Sequence, residues 1–194
     1  MPPANSAMLE LGTVMPDFSL PDFGNAGANG ANTVSASDLP EGRPVLVMFI
    51  CNHCPFVVHI QDQLAALGDD YADRVSVIAI NANNTETHPA DAPPKMTEKA
   101  AEAGWSFPYL FDETQDVAQA FDARCTPDFF LFDGDHKLAY RGQLDASRPS
   151  NAIPVDGSSL RPALDAVLAG NAVPEPHEPS LGCGIKWKPG NEPG

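Results

Sequence analysis

Cys51-Asn52-His53-Cys54 is the segment of this 194-residue sequence best equipped for chemistry. Two thiols at this spacing can close a short disulfide or share a metal ion. Disulfide exchange needs a thiolate as the attacking group. A free cysteine has a pKa of about 8.5, and a helix N-terminus or a nearby imidazolium lowers it. His53 lies between the two thiols. If it stabilises a thiolate, it also favours the dithiol form and makes the pair more oxidising. Structural zinc would need two further ligands, because it is almost always four-coordinate. No second Cys-x-x-Cys and no His-x-x-x-His is present, and Cys125, Cys183 and His59 are not spaced to complete a set. A thiol-based copper or zinc binding protein therefore stands as an alternative, behind redox chemistry.

The elements around the pair decide how it is held. Pro44 to Ile50 is a continuous apolar run of β-favouring residues, the pattern of a strand buried on both faces. Phe56, Ile60, Leu64, Leu67 and Tyr71 then form one stripe of an amphipathic helix. Pro55 suits the first turn of that helix, where its missing N–H costs nothing. The pair thus sits at a strand-to-helix junction, at the positive end of a helix. Val75 to Ile80 predicts a second buried strand, followed by a polar loop from Asn81 to Pro94. Lys95 to Ala103 predicts a short helix stopped by Gly104. Gln115 to Phe121 predicts another, capped by Asp112 or Thr114. Asp128 to Phe132 predicts a third buried strand. It turns at Gly134-Asp135 into an antiparallel strand over Lys137 to Arg141. Ser158 to Ala169 predicts a last helix, stopped by Gly170. Near the start, Asp17 to Phe23 alternates as a short edge strand, and Gly24 to Thr33 reads as a loop. This order implies an α/β fold, a mixed sheet with helices on both faces.

Composition narrows the class. Eleven basic against 26 acidic side chains give a net charge of −15. The excess is spread over both halves, as on a solvated anionic surface. Such a chain repels phosphate backbones and anionic membranes, which argues against nucleic-acid and membrane partners. The longest apolar run is too short to span a bilayer. The first residues show no basic start with an apolar stretch, so the expected setting is cytoplasmic. Four cysteines do not make a disulfide-dense secreted scaffold. Twenty prolines are about twice the usual share of roughly 5%, and five fall in residues 171–194. That stretch reads as a Pro-rich tail after a domain spanning residues 10–170.

Val45 to Pro55, together with Cys125-Thr126-Pro127-Asp128-Phe129-Phe130-Leu131-Phe132-Asp133, resembles the thioredoxin superfamily. The similarity is greatest to its redoxin branch, which holds alkyl hydroperoxide reductase and thiol-specific antioxidant-like proteins. Pro16 to Asp22 is similar to the opening strand of that branch. Ser180 to Gly190 resembles the end of a bacterial redoxin subgroup. The resemblance implies a thioredoxin-like three-layer fold with an N-terminal strand extension and a C-terminal tail. It implies catalytic roles for Cys51, Cys54 and His53. It also implies that Thr126 and a cis Pro127 form a bend facing the cysteines, with a backbone edge where a partner chain docks. No bound cofactor is needed. The partners implied are an external dithiol reductant and a protein disulfide, a small-molecule disulfide or a peroxide.

Departures from the family pattern leave two mechanisms open. Thioredoxins carry a buried acid in the strand before the pair, and Val45 to Ile50 holds none. Peroxiredoxins place Thr or Ser where Cys51 stands, but share the Cys-Pro step at Cys54-Pro55. In the thioredoxin alignment Cys51 attacks and Cys54 resolves. In the peroxiredoxin alignment the roles reverse. The first cysteine of such a pair sits just outside the helix, which favours Cys51 as attacker. Arg141 is a candidate thiolate-stabilising arginine without a clear register match. Cys125 reads as a buried small hydrophobe. Cys183 is either a second resolving thiol or a packed tail residue. His59, Trp105 and Trp187 read as packing or hydrogen-bonding residues, and Asp69, Asp70 and Asp73 as a solvated helix end.

Overall fold

A computed structural model describes residues 3–24 and 32–193. Its strands are β1 (Pro3–Asn5), β2 (Ser19–Asp22), β3 (Asn32–Ser35), β4 (Val45–Phe49), β5 (Ser76–Asn81), β6 (Tyr109–Phe111), β7 (Cys125–Thr126), β8 (Asp128–Phe132), β9 (Leu138–Gly142) and β10 (Leu181–Gly184). Its α-helices are α1 (Pro55–Tyr71), α2 (Pro93–Ala103), α3 (Asp116–Ala120) and α4 (Leu160–Leu168). Seven strands form one mixed sheet in the order β3-β2-β6-β5-β4-β8-β9. The β4, β5 and β6 strands run parallel, and β8 pairs antiparallel with both β4 and β9. This is the thioredoxin-like three-layer arrangement.

The central strand is β4, and all five of its residues are fully buried. Alternate side chains face opposite layers, as the strand period requires. Leu46 and Met48 join a core with Leu64 of α1, Met96 of α2 and Leu164 of α4. Val45, Val47 and Phe49 join a second core with Val117 of α3. In that second core Phe121 meets Phe49, Phe130 and Phe132 edge-on, at ring separations of 5.5, 5.7 and 5.9 Å. Such pairs add about 0.5–1.5 kcal/mol each beyond area burial.

The helix stripe read from the sequence is the buried face of α1. Ile60, Leu64, Leu67 and Tyr71 lie inside, joined by Val57, while Phe56 at its start is only half-buried. Gly68 on the same helix admits the Phe107 ring, which would lie 2.8 Å from an added Cβ. Gly104 ends α2 with φ of 68°, a conformation that glycine adopts without steric cost. Asp112 supplies the cap for α3, accepting from Gln115 N at 3.0 Å and Ala118 N at 2.8 Å.

Two expectations are revised. First, β2 is an interior strand, because β3 pairs along its outer side and β6 along its inner side. The polar end of the Gly24–Thr33 loop assignment, Asn32 and Thr33, is itself strand; residues 25–31 lie outside the described residues. Second, the Pro-rich segment after residue 170 is not an appendage. Its β10 strand pairs antiparallel with β1 on one side and with β7 on the other. Composition marks that segment as irregular but carries no sign of the edge it covers.

Candidate active site

Cys51 and Cys54 lie between the end of β4 and the start of α1. The helix begins at Pro55, so Cys54 is its N-cap residue. The Cys54 carbonyl accepts from Val57 N at 3.0 Å and Val58 N at 2.9 Å. Against the pair stands the bend of β7 and β8, where the Thr126–Pro127 peptide bond is cis. Cys51 Sγ lies 3.4 Å from Thr126 Oγ1. As a thiol, Cys54 donates to the Thr126 carbonyl at 3.1 Å. The structure thus brings Cys51, Cys54, Thr126 and Pro127 to one place, with all four cysteines as free thiols.

The two sulfurs are electrostatically unlike. Cys54 is pulled down to about 5, first by the hydrogen bond it accepts from the Cys51 thiol. The Cys183 thiol, Val57 N–H and Cys183 N–H then add further donors, against the opposing cost of burial. Cys51 moves well upward. Its bond to Cys54 is the largest cause, followed by burial and the negative field of Asp91. Both directions run against the expectation of Cys51 as the attacking thiol. Part of the cause is local, since the Val57 N–H of the helix start lies beside Cys54, the N-cap residue.

His53 does not bond to either sulfur. Its Nδ1 donates to Asp91 Oδ2 at 2.7 Å, and its ring stacks on His88 at 5.4 Å. Asp91 is fully buried in the loop after β5. It also accepts from Asn52 N at 2.8 Å and Asn83 Nδ2 at 2.8 Å. Tyr109, buried on β6, donates to Asn52 Oδ1 at 3.0 Å and so braces the residue between the cysteines. Donor atoms of Cys51, His53 and Asp91 all lie within 4.8 Å of one another. Both Asp91 oxygens already accept hydrogen bonds and the set has three members. This fits a hydrogen-bonded thiol site better than a four-ligand zinc site.

Asp91 and Asp128 escaped the sequence reading. Asp128 is fully buried, and neither carboxyl oxygen has a hydrogen-bond partner among the described residues. Burial raises it to about 8. Its signal was visible, since an acid opens the apolar run Phe129 to Phe132. Asp91 gave no such sign, because nothing marks one acid in a polar loop as buried. Arg141 lies away from the thiols. Its Nη1 is 2.9 Å from His177 Nδ1 and 3.9 Å from Glu175, so it holds the C-terminal segment instead. His59 bonds to Ser147 Oγ at 2.7 Å. Cys125 is fully buried, with its thiol pushed up by burial.

This fold and this pair define a thioredoxin-like redoxin, an oxidoreductase acting on thiols. The model of the AhpC/TSA family matches residues 11–141, and the chain belongs to that family. Among solved structures, an uncharacterized conserved protein from Geobacillus kaustophilus is similar at 52% identity and a TM-score of 0.92, covering 97% of this chain and 98% of that one. A hypothetical protein from Sinorhizobium meliloti 1021 is similar at 42% identity and a TM-score of 0.91, covering 96% and 99%. A putative thiol:disulfide interchange protein DsbE from Chlorobium tepidum shares the fold, at 24% identity and a TM-score of 0.61, covering 82% and 99%. No curated protein matches the chain. No described helix is long and apolar enough to cross a membrane.

Proposed function

We propose that this redoxin cycles Cys51 and Cys54 between dithiol and disulfide, exchanging electrons with an external dithiol and a disulfide substrate. One observation carries the reading: both sulfurs contact Thr126 beside the helix start, at the cis-Pro bend. The acidified thiol is the nucleophile that releases the first product, and its neighbour closes the disulfide that releases the second. Asp91 takes the place of the missing strand acid, as the buried carboxylate facing Cys51. Reaction with a disulfide RSSR yields an R–S–S–Cys54 adduct and RSH. Attack by Cys51 on Cys54 Sγ then releases the second RSH. Insulin reduction with dithiothreitol, together with peptide mapping after alkylation, tests the proposal. Catalysed insulin reduction and a Cys51–Cys54 link are expected; oxidised protein with neither overturns the reading. A cytoplasmic setting is part of this proposal.

A thiol peroxidase is the second reading, favoured by Cys54 at the helix N-cap before Pro55. There Cys54 attacks a peroxide, becomes a sulfenic acid and is resolved by Cys51. Rapid peroxide consumption by the wild type, with sulfenic acid at Cys54 in Cys51→Ser, would select it over disulfide exchange.

A further inference from the structure

The β10 strand lies along the backbone edge at Thr126, the edge beside the two thiols. Cys183 stands opposite Thr126, and Gly184 opposite Cys125. Gly182 allows this approach, because an added Cβ would collide with the Thr126 carbonyl. The placement is heavily secured. Ser180 N donates to Ser6 Oγ at 2.7 Å, and Ser180 Oγ donates to Gly142 O at 2.6 Å. Lys186 N donates to Asn83 Oδ1 at 2.8 Å, and Ile185 N donates to Arg124 O at 3.1 Å. An extended protein chain cannot pair with Thr126 while β10 occupies that edge.

The pair itself is sealed, with Cys51 at 1% and Cys54 at 0% exposure. Cys183 is half-exposed, and it packs against the core that holds both of them. Three sulfurs therefore run from the interior to the surface, with Cys54 between the other two.

We propose, building on the Cys51–Cys54 reading, that Cys183 is a third redox thiol, which takes the disulfide as Cys54–Cys183 and presents it to an external dithiol. The transfer is an exchange without net oxidation. The Cys183 thiolate attacks Cys54 Sγ, the Cys54–Cys183 bond forms, the Cys51–Cys54 bond breaks, and Cys51 leaves with the electron pair and takes up a proton. An external dithiol then attacks Cys183 Sγ and expels Cys54. Its second thiol attacks the sulfur bonded to Cys183, releasing the Cys183 thiol and leaving the reductant as a disulfide.

The charges favour the second step. Cys183 is raised to about 12, by burial first and then by its bond to Cys54 and the negative charge there, while Lys186 pulls the other way. Once Cys54 is held in a disulfide, the two Cys54 contributions vanish, and burial, which still raises Cys183, is left against Lys186. In the second step Cys54 is the better leaving group, because a thiol of lower pKa departs faster.

Cys51→Ser tests Cys183 without the pair. Treated with glutathione disulfide and mapped after alkylation, this variant should yield a Cys54–Cys183 link. A persistent glutathione adduct on Cys54 beside a free Cys183 overturns the proposal. Cys183→Ser tests the pair without the relay. Its Cys51–Cys54 disulfide should form but be reduced by dithiothreitol about tenfold more slowly than the oxidised wild type. Reduction at the wild-type rate overturns the relay; failure of the Cys51–Cys54 link to form there overturns the pair reading instead. Cys183→Ala, with folding checked by circular dichroism, should repeat the slow reduction, and a wild-type rate in that variant also overturns the relay.

Discussion

The Nδ1 of His53 lies 2.7 Å from a carboxylate oxygen of Asp91, whose side chain is sealed from solvent. The charge on Asp91 also reaches Cys51 and helps to hold that thiol up. Asp91→Asn removes the charge and keeps an oxygen able to accept from Asn52 N. The Cys51 thiol should then ionise at lower pH. The measurement is the pH profile of its alkylation in a Cys54→Ser background. An unchanged profile would separate Asp91 from the chemistry of the pair.

Cys54 should be the first cysteine to ionise. Its alkylation by iodoacetamide should rise with a midpoint near 5, located by fragmenting the Cys51-to-Cys54 peptide. Cys51→Ala deletes the largest stabilising donor and should move that midpoint upward. A first midpoint belonging to Cys51 would restore the thioredoxin order of attack.

The same acidification bears on the redox potential. A stabilised thiolate favours the reduced form, so the Cys51–Cys54 pair should be more oxidising than thioredoxin at about −270 mV. Equilibration with glutathione reads this directly. A potential at or below that of thioredoxin would contradict the charge distribution described for the two sulfurs.

Gly182→Ala should lift β10 from β7, because the new methyl meets the Thr126 carbonyl. Cys54 then loses the N–H and S–H donors of Cys183. Its alkylation midpoint should rise, and limited proteolysis should cut more readily after residue 170. A variant with the wild-type midpoint and cleavage pattern would show that β10 tolerates the methyl.

Asp128 makes stability fall as pH rises. Its folded pKa of about 8 stands above the unfolded value of about 3.9. Below the unfolded value both states are protonated and the group adds no penalty. Between the two values the unfolded state ionises first, so folding loses roughly 1.4 kcal/mol per pH unit at most. Above the folded value the loss is complete and constant. Urea unfolding from pH 5 to pH 9 should show this decline, at about that slope near its start, and Asp128→Asn should flatten it. Equal slopes in both proteins would remove Asp128 as the cause.

Much of this architecture is legible in residue patterns. The apolar run at Val45 to Phe49 and the stripe from Ile60 to Tyr71 are local signals, and they mark β4 and α1. The Cys51 to Cys54 spacing and Thr126-Pro127 likewise mark the two sides of the site. What stays hidden depends on distant segments. Asp91 becomes part of the site only because its loop folds back over Asn52. Part of the lowering of Cys54 comes from Cys183, whose strand has a short, glycine-rich sequence without alternation. The expected order of attack came from the thioredoxin pattern, in which the first cysteine is activated, whereas here the donors gather on the second.

Ser6 and Ser180 exchange backbone and side-chain hydrogen bonds across 174 positions of sequence. The β1-β10-β7 ladder therefore closes one of the longest loops the chain can make, and loop closure is entropically costly. During synthesis, β4, α1 and the Thr126 bend emerge well before β10 does. A nascent chain thus carries its two buried thiols through most of its synthesis without the donors of Cys183. Full acidification of Cys54 becomes a late event in biogenesis, timed by the emergence of residues 181–184.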